Sequence, residues 1–288
     1  MHSYSFCSTS LMIMLQDHVQ QFMKKFTERR FRALFGLGSE EANLVYQHIS
    51  GCSPEHLLWG LHFLFCYPTN SAGSCFSGAD EKTWAKQTKR VIILLDQLLP
   101  EVSSVALPFL SSNLEKLNLE DRWEDWDYFN PSCIVDGSDI PILEPESTTW
   151  GEKTAFFSHK TGGPTLRYMI LVSVATKRFI WCSDAFPGGT SEARIVLETV
   201  WDRFLPGERI LGDSLFSAPA YMHVFTTPLR ATDQETYHRL SSMRAAVEHS
   251  FEQLKNFKIA TTRFRSTDYH FHEICIRLLC KILNLTRK

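Results

Sequence analysis

The sequence has little charge of either sign to spare: 30 Lys and Arg against 32 Asp and Glu leave a net charge of −2. That balance argues against a protein that coats nucleic acid by bulk charge, while leaving room for a local basic groove. No run approaches the roughly 18 consecutive apolar residues that span a bilayer, so no membrane partner is expected. The opening stretch has a short apolar segment but no positive n-region and no clear small-residue cleavage site, and the chain is expected to be soluble and intracellular. None of the eight Cys forms a Cys-x-x-Cys pair, which removes support for a zinc ribbon. Several lie in apolar runs, where a thiol behaves as a small hydrophobe, so free thiols in a reducing compartment are expected. A Gly-rich phosphate loop, a Gly-x-Ser-x-Gly elbow, internal repeats and low-complexity tracts are all missing. Hydrophobic residues make up 44% of the 288 positions, enough for an ordinary core in one large domain or two modest ones.

What is present is an acidic residue in each of three settings. Asp136 ends the apolar run Cys133-Ile134-Val135, and Asp213 ends the run Arg209-Ile210-Leu211-Gly212. Glu248 sits in Met-Arg-Ala-Ala-Val-Glu-His-Ser-Phe-Glu, a helical pattern. Two carboxylates at strand ends and one on a helix can converge. Hard divalent cations take oxygen ligands and leave positions for water and phosphate. Two such ions about 3.5–4 Å apart stabilise the attacking and leaving oxygens of a phosphodiester displacement. The acidic set therefore suggests Mg²⁺- or Mn²⁺-dependent chemistry on nucleic acid.

Blander roles stand beside this one. Asp-Gly at 136–137 is a common turn pair, and Asp213 has the same alternative. Asp139 reads as a turn residue or a support for the ligands. Glu248 alone would be a solvated helix residue, and Glu252 one turn later is easily confused with it. Arg244, one turn before Glu248, either pairs at the surface or orients that carboxylate and touches phosphate. Lys255, Lys258, Arg263 and Arg265, interleaved with Phe257 and Phe264, either track phosphates or form a solvated edge. Lys160 follows His159 in a polar loop with the same two readings. His270 and His272 lack partners at zinc-site spacing. Trp150, Trp181 and Trp201 read as packing residues.

The N-terminal third reads as all helical. Helices are expected over 11–35, from Ser39 through Ile49, from the Ser53-Pro54 start through Phe65, and from Asp80 to Leu99. The Ser/Gly/Asn-rich stretch 69–78 reads as a loop. Lys82, Lys86, Lys89 and Arg90 make the last helix basic, which suggests a helix-turn-helix-like DNA-binding module or, alternatively, a plain bundle with a solvated face. From about residue 132 the period changes. A short strand over Cys133–Val135 and a hairpin of Leu166–Ala175 with Arg178–Ala185 come first. A helix from Gly188–Ser191 to Arg203, a strand over Arg209–Leu211, and helices over Ser217–Phe225, Thr232–Leu254 and Tyr269–Leu285 follow. This order is mixed α/β, with domains expected at 1–125 and 126–288. In such sheets ligands gather at the carboxyl ends of strands, where Asp136 and Asp213 are placed.

Four blocks in order resemble the PIF/Harbinger-type transposases of the DDE superfamily endonucleases. They are Val135-Asp136-Gly137-Ser138-Asp139-Ile140-Pro141-Ile142, Phe157-Ser158-His159-Lys160, Gly212-Asp213-Ser214, and Arg244-Ala245-Ala246-Val247-Glu248 with Leu254-Lys255-Asn256-Phe257-Lys258-Ile259. Asp213 and Glu248 are 35 positions apart, a separation usual in that superfamily. The resemblance covers about residues 130–288. It implies an RNase H-like mixed sheet flanked by helices, a catalytic set Asp136, Asp213 and Glu248 on two divalent cations, and cleavage and strand transfer on DNA. It also implies a nuclear location and, as in some relatives, a separate Myb-like DNA-binding partner. Departures are visible. Glu192 stands where the family usually has Asp, Leu215-Phe216 replaces a Gly-aromatic pair after the second Asp, and Ile282-Leu283-Asn284 replaces Leu-His-Asn. They keep two alternatives open: a domesticated relative that binds DNA or protein and cleaves nothing, and a generic RNase H-like nuclease.

Overall fold

In the computed structural model the described residues are 27–99, 131–145, 153–174, 176–204, 209–213, 216, 220, 225–227 and 233–287. The expected boundary at 125/126 and the expected helical residues 11–26 lie outside them. Two compact units are formed. The first holds the described residues through Leu99, Asn256–Ala260 and the segment from Lys281 onward, and the second holds Pro131 to Lys255 and Thr261–Cys280.

The first unit is helical: α1 (Glu28–Phe35), α2 (Ser39–Gln47), α3 (Pro54–Cys66), α4 (Asn70–Ser77) and α5 (Glu81–Leu98). The start signals act as read. The Ser53 hydroxyl accepts from the His56 N–H with Pro54 at the first position, and Asp80 accepts from the Lys82 and Thr83 N–H groups. The expected loop 69–78 is corrected: it is helix α4. Thr69 caps its start by accepting from Ala72, and Gly78 ends it in the left-handed conformation at φ 72°. Tertiary packing overrides the weak helix propensity of this stretch, because Gly73 lets the α4 backbone lie against the Trp84 indole. Phe31, Phe35, Leu61, Trp84, Ile92 and Leu95 are fully buried here. Lys281 and Asp96 form a buried ion pair at 3.0 Å.

The second unit is a mixed sheet with helices. Its described strands are β1 (Cys133–Pro141), β2 (Phe157–Ser158), β3 (Gly163–Ser173), β4 (Phe179–Cys182), β5 (Phe186–Pro187), β6 (Ile210–Leu211) and β7 (Phe225–Thr226). The order is β2-β3-β1-β6-β7, with β4 and β5 also paired to β3. The β3–β4 hairpin is antiparallel as expected, and so is β1 on β3. β1 and β6 run parallel, as do β6 and β7. Phe225, expected at the end of a helix, instead lies in β7. Helices α6 (Glu192–Thr199), α7 (Gln234–Lys255) and α8 (Tyr269–Thr286) complete the order, with α8 continuing into the first unit.

Alternation along β1 assigns its faces. Cys133 and Val135 join Met169, Leu171, Ala193, Ile195 and Val196 in the core under α6. Ile134 and Asp136 lie on the side of Val247 and Phe251 of α7. On β3, Tyr168 hydrogen-bonds the buried His272 of α8 at 2.7 Å. That bond, together with the Phe264 ring at 4.4 Å, accounts for His272 as a core residue.

Candidate active site

Asp136 does not stand at a strand end, and this corrects the reading from sequence. β1 continues past it to Pro141, and Asp136 pairs with Ile170 in the middle of the ladder. The Asp-Gly pair is not a turn. Gly137 is needed for a different reason: a Cβ there would meet Glu192 Oε1 at 2.6 Å. The missing side chain makes room for the Glu192 carboxylate against the strand.

Asp213 stands two residues past the end of β6, with Gly212 between. The parallel register pairs Cys133 with Ile210 and Ile134 with Leu211. Asp136 and Asp213 each stand two residues past the last of these pairs, Ile134 with Leu211. Alternation places Asp136 on the α7 side of β1, opposite the face on which Cys133 packs with Ile210.

α7 supplies the other wall. Arg244, Val247, Glu248, Phe251, Glu252 and Lys255 recur at helical spacing and line a groove of about 240 Å³ with Ile134, Val135 and Asp136. Val247 and Phe251 are buried and anchor the helix, with the Phe251 ring edge-on to Phe179 at 6.3 Å. Glu248 is exposed on the groove's edge. The groove's lining sets the carboxylates of Asp136, Glu248 and Glu252 among the cations Arg244 and Lys255, a surface suited to polar rather than apolar ligands. Glu252 shares the groove and pairs with His249 at 3.7 Å.

Charge alternates around the acids. Lys255 Nζ is 4.0 Å from Asp136 Oδ2. Burial pushes the Asp136 carboxyl above its ordinary value, partly offset by Lys255, Lys160 and Arg244. Burial also raises Glu192. Arg167 opposes that rise, while Asp213 and Asp136 add to it. Glu192, at the start of α6, thus lies within electrostatic reach of both aspartates. Among the described residues no three His, Cys, Asp or Glu side chains gather closely enough to hold a metal ion as they stand.

Asp139 has another role, and it is not a turn residue. Its side chain is 2% exposed, and its direct cross-strand partner is Arg167. Arg167 donates from Nε to Oδ1 and from Nη2 to Oδ2, both at 2.7 Å. The Ser158 hydroxyl donates to Oδ2 at 2.6 Å. Burial pushes the Asp139 carboxyl up, but these bonds outweigh it and hold it below the usual range. Arg167 was missed in the sequence, although a lone cation inside Leu-Arg-Tyr-Met-Ile-Leu-Val signals a buried partner.

Of the sequence-derived residues, the structure brings Asp136, Arg244, Glu248 and Lys255 to one groove, with Asp213, Glu192 and Lys160 near it. Lys258 belongs to the helical unit. Arg263 and Arg265 are exposed beyond α7 and are not among the groove's lining residues. His270 pairs with Glu273 at 3.0 Å.

A family model described as DDE superfamily endonuclease matches residues 135–284, more than half of the chain. This chain is a DDE superfamily endonuclease family member. Comparison with curated proteins and with solved structures gave no match. The DDE match begins one residue before Asp136 and contains Asp213 and Glu248. Membership in the DDE endonucleases suggests a transposase-like nuclease acting on DNA. Among the described residues, no helix is long and apolar enough to cross a membrane.

Proposed function

We propose that the chain is a PIF/Harbinger-type DDE endonuclease with an RNase H-like fold that cleaves DNA phosphodiesters. Asp136, Asp213 and Glu248 hold two divalent cations, Mg²⁺ or Mn²⁺. One observation carries this reading: Asp136 and Glu248 line a single groove.

The donor set fits such ions. It consists of carboxylate oxygens, the ligands that hard cations take. Burial raises the Asp136 and Glu192 carboxyls above their ordinary values, and at Glu192 the charges of Asp213 and Asp136 add to the rise, a cost that a bound cation would offset. When bound, the cations supply Lewis-acid stabilisation of phosphate oxygens and a water of lowered pKa.

The chain's own residues do the rest. Lys160, Lys255 and Arg244 surround Asp136 with positive charge and receive the scissile phosphate. Arg244, one turn before Glu248, orients that carboxylate. Glu192 and Asp139 support the site from the opposite side of β1. Lys258, Arg263 and Arg265 contact flanking phosphates, and such binding weakens as salt rises. The subtype brings with it strand transfer, a separate Myb-like DNA-binding partner and work in the nucleus.

A second reading, a domesticated relative that binds DNA or protein without cutting, is favoured by Glu192 standing where the resemblance expects Asp. Nicking of supercoiled plasmid with Mn²⁺ separates the two. Wild type is expected to nick, and Asp136→Asn to lose nicking by at least about a thousandfold with its fold intact, on the scale of losing a charge-stabilising group. Near-normal nicking by Asp136→Asn would remove the assignment. Plasmid binding without nicking by wild type would establish the binding-only reading.

A further inference from the structure

Arg167 makes contacts that a simple cross-strand ion pair would not need. Beyond its two bonds to Asp139, its Nη1 donates to the Thr190 carbonyl at 2.7 Å. Thr190 immediately precedes Ser191, the first flanking residue of α6, whose side chain makes no capping hydrogen bond. The entry to α6 is therefore held through the Thr190 carbonyl by Arg167, and not by a side chain accepting from the first-turn N–H groups. Glu192 is the first residue of that helix, with its carboxylate against Gly137.

The other end of the network reaches the Lys160 turn. Ser158 binds Asp139 and also ends β2, which pairs with β3 at Gly163. The turn between them carries His159 and Lys160 and closes with the Gly162 N–H on the Ser158 carbonyl at 2.9 Å, Gly162 being left-handed at φ 69°. One part-buried guanidinium thus ties β1, three residues beyond Asp136, to the start of α6, and through the shared Asp139 carboxylate to Ser158 at the edge of the Lys160 turn. A planar fork satisfies all three bonds in one plane, whereas an ammonium would not.

We propose that Arg167, locked on Asp139, is a positioning residue that sets two flanks of Asp136: the Lys160 turn and the Glu192 end of α6. It touches no reacting atom. It fixes where a positive and a negative group stand beside the acid, in a site where small displacements are costly. The role in the reaction rests on the reading of the preceding section; the control of the two flanks does not.

The test uses the full chain and two variants. Arg167→Lys keeps the charge and loses the fork, and Asp139→Asn keeps the shape and loses the charge. Hydrogen exchange followed by mass spectrometry needs no substrate. In Arg167→Lys the amides of residues 159–163 and 190–195 are expected to exchange about tenfold faster, as loss of charge-assisted bonds at a local opening predicts. The amides of β1 near Asp136 and those of α7 should keep wild-type protection. Asp139→Asn, which retains a neutral acceptor, should show the same pattern more weakly. With supercoiled plasmid and Mn²⁺, Arg167→Lys should lower the nicking rate about tenfold while the half-saturating plasmid concentration stays unchanged. Wild-type exchange at both segments in both variants overturns the proposal. So does protection lost evenly across the sheet in both, since that describes a general brace. An unchanged nicking rate in Arg167→Lys overturns the role in the reaction. If wild type nicks nothing, the endonuclease reading fails, and the exchange pattern still decides whether Arg167 controls the two flanks.

Discussion

At the scale of single residues, three carboxylates on or beside β1 titrate in opposite senses. Asp136 and Glu192 are raised by burial, and Asp139 is lowered because its bonds to Arg167 and Ser158 outweigh burial. A raised carboxyl binds its proton more tightly in the folded state, so its stabilising contribution is present below the unfolded value of about 4 and is lost as pH rises past the folded value. A lowered carboxyl contributes above that unfolded value and loses its contribution on acidification. In metal-free protein, Asp136→Asn is therefore expected to raise the thermal midpoint by a few degrees near neutral pH, with the gain shrinking as pH falls toward about 4. Asp139→Asn should lower the midpoint near neutrality, with the deficit shrinking over the same interval. Thermal unfolding in the presence of a chelator checks both signs. Gly137→Ala offers a second residue-scale test. The added Cβ meets Glu192 Oε1 at 2.6 Å, the tip of a flexible side chain, so it should displace Glu192 at a cost of about 1 kcal/mol. In a Glu192→Ala background the same substitution should be nearly neutral. An equal cost in both backgrounds would show that Gly137 is required for some other reason.

At the scale of elements, the legible and illegible parts separate by cause. Local chemistry was readable. Ser53-Pro54 and Asp80 start α3 and α5 where expected, and the β-branched and aromatic runs form the β3–β4 hairpin. What depends on distant partners was not. Helix α4 is rich in Ser, Asn and Gly and looks like a loop, because its reason to fold is the Trp84 ring of helix α5 packed against Gly73. β1 looked finished at Val135, because Asp136 and Asp139 interrupt an apolar run. The strand continues since Asp139 finds Arg167 directly opposite. The α4 packing gives a sharp expectation. Gly→Ala inside a helix normally stabilises by about 1 kcal/mol. At Gly73 the new Cβ would lie 2.1 Å from Trp84 Cε2 in a ring that is fully buried, and overpacking of this kind costs about 1–3 kcal/mol. Gly73→Ala should therefore lower the unfolding midpoint, and a raised midpoint would contradict the packing described.

At the scale of the whole molecule, a net charge of −2 conceals a local arrangement. Lys255, Lys160 and Arg244 act on Asp136, so positive charge is gathered beside that acid in a chain whose overall charge is nearly balanced. The split of the chain was legible only in outline. A helical front and a mixed α/β remainder follow from the change of period near residue 132. The return of Asn256–Ala260 and the segment from Lys281 to the helical unit rests on contacts with residues far away in sequence, such as Asp96 with Lys281. Asp136, Asp213 and Glu248 were legible as candidates, and their surroundings only in part. The α7 stripe of Arg244, Glu248 and Lys255 follows from helical spacing, whereas the place of Asp136 inside β1 needed the pairing with β3. The central claim is that Asp136, Asp213 and Glu248 hold divalent cations at one place. Calorimetric titration of Mn²⁺ into the full chain tests it most directly, comparing wild type with Asp136→Asn, Asp213→Asn and Glu248→Gln. Binding by wild type that all three substitutions weaken at least about tenfold, as removal of a hard oxygen ligand predicts, is the expected result. Absence of Mn²⁺ binding by wild type, or binding indifferent to the three changes, would contradict it.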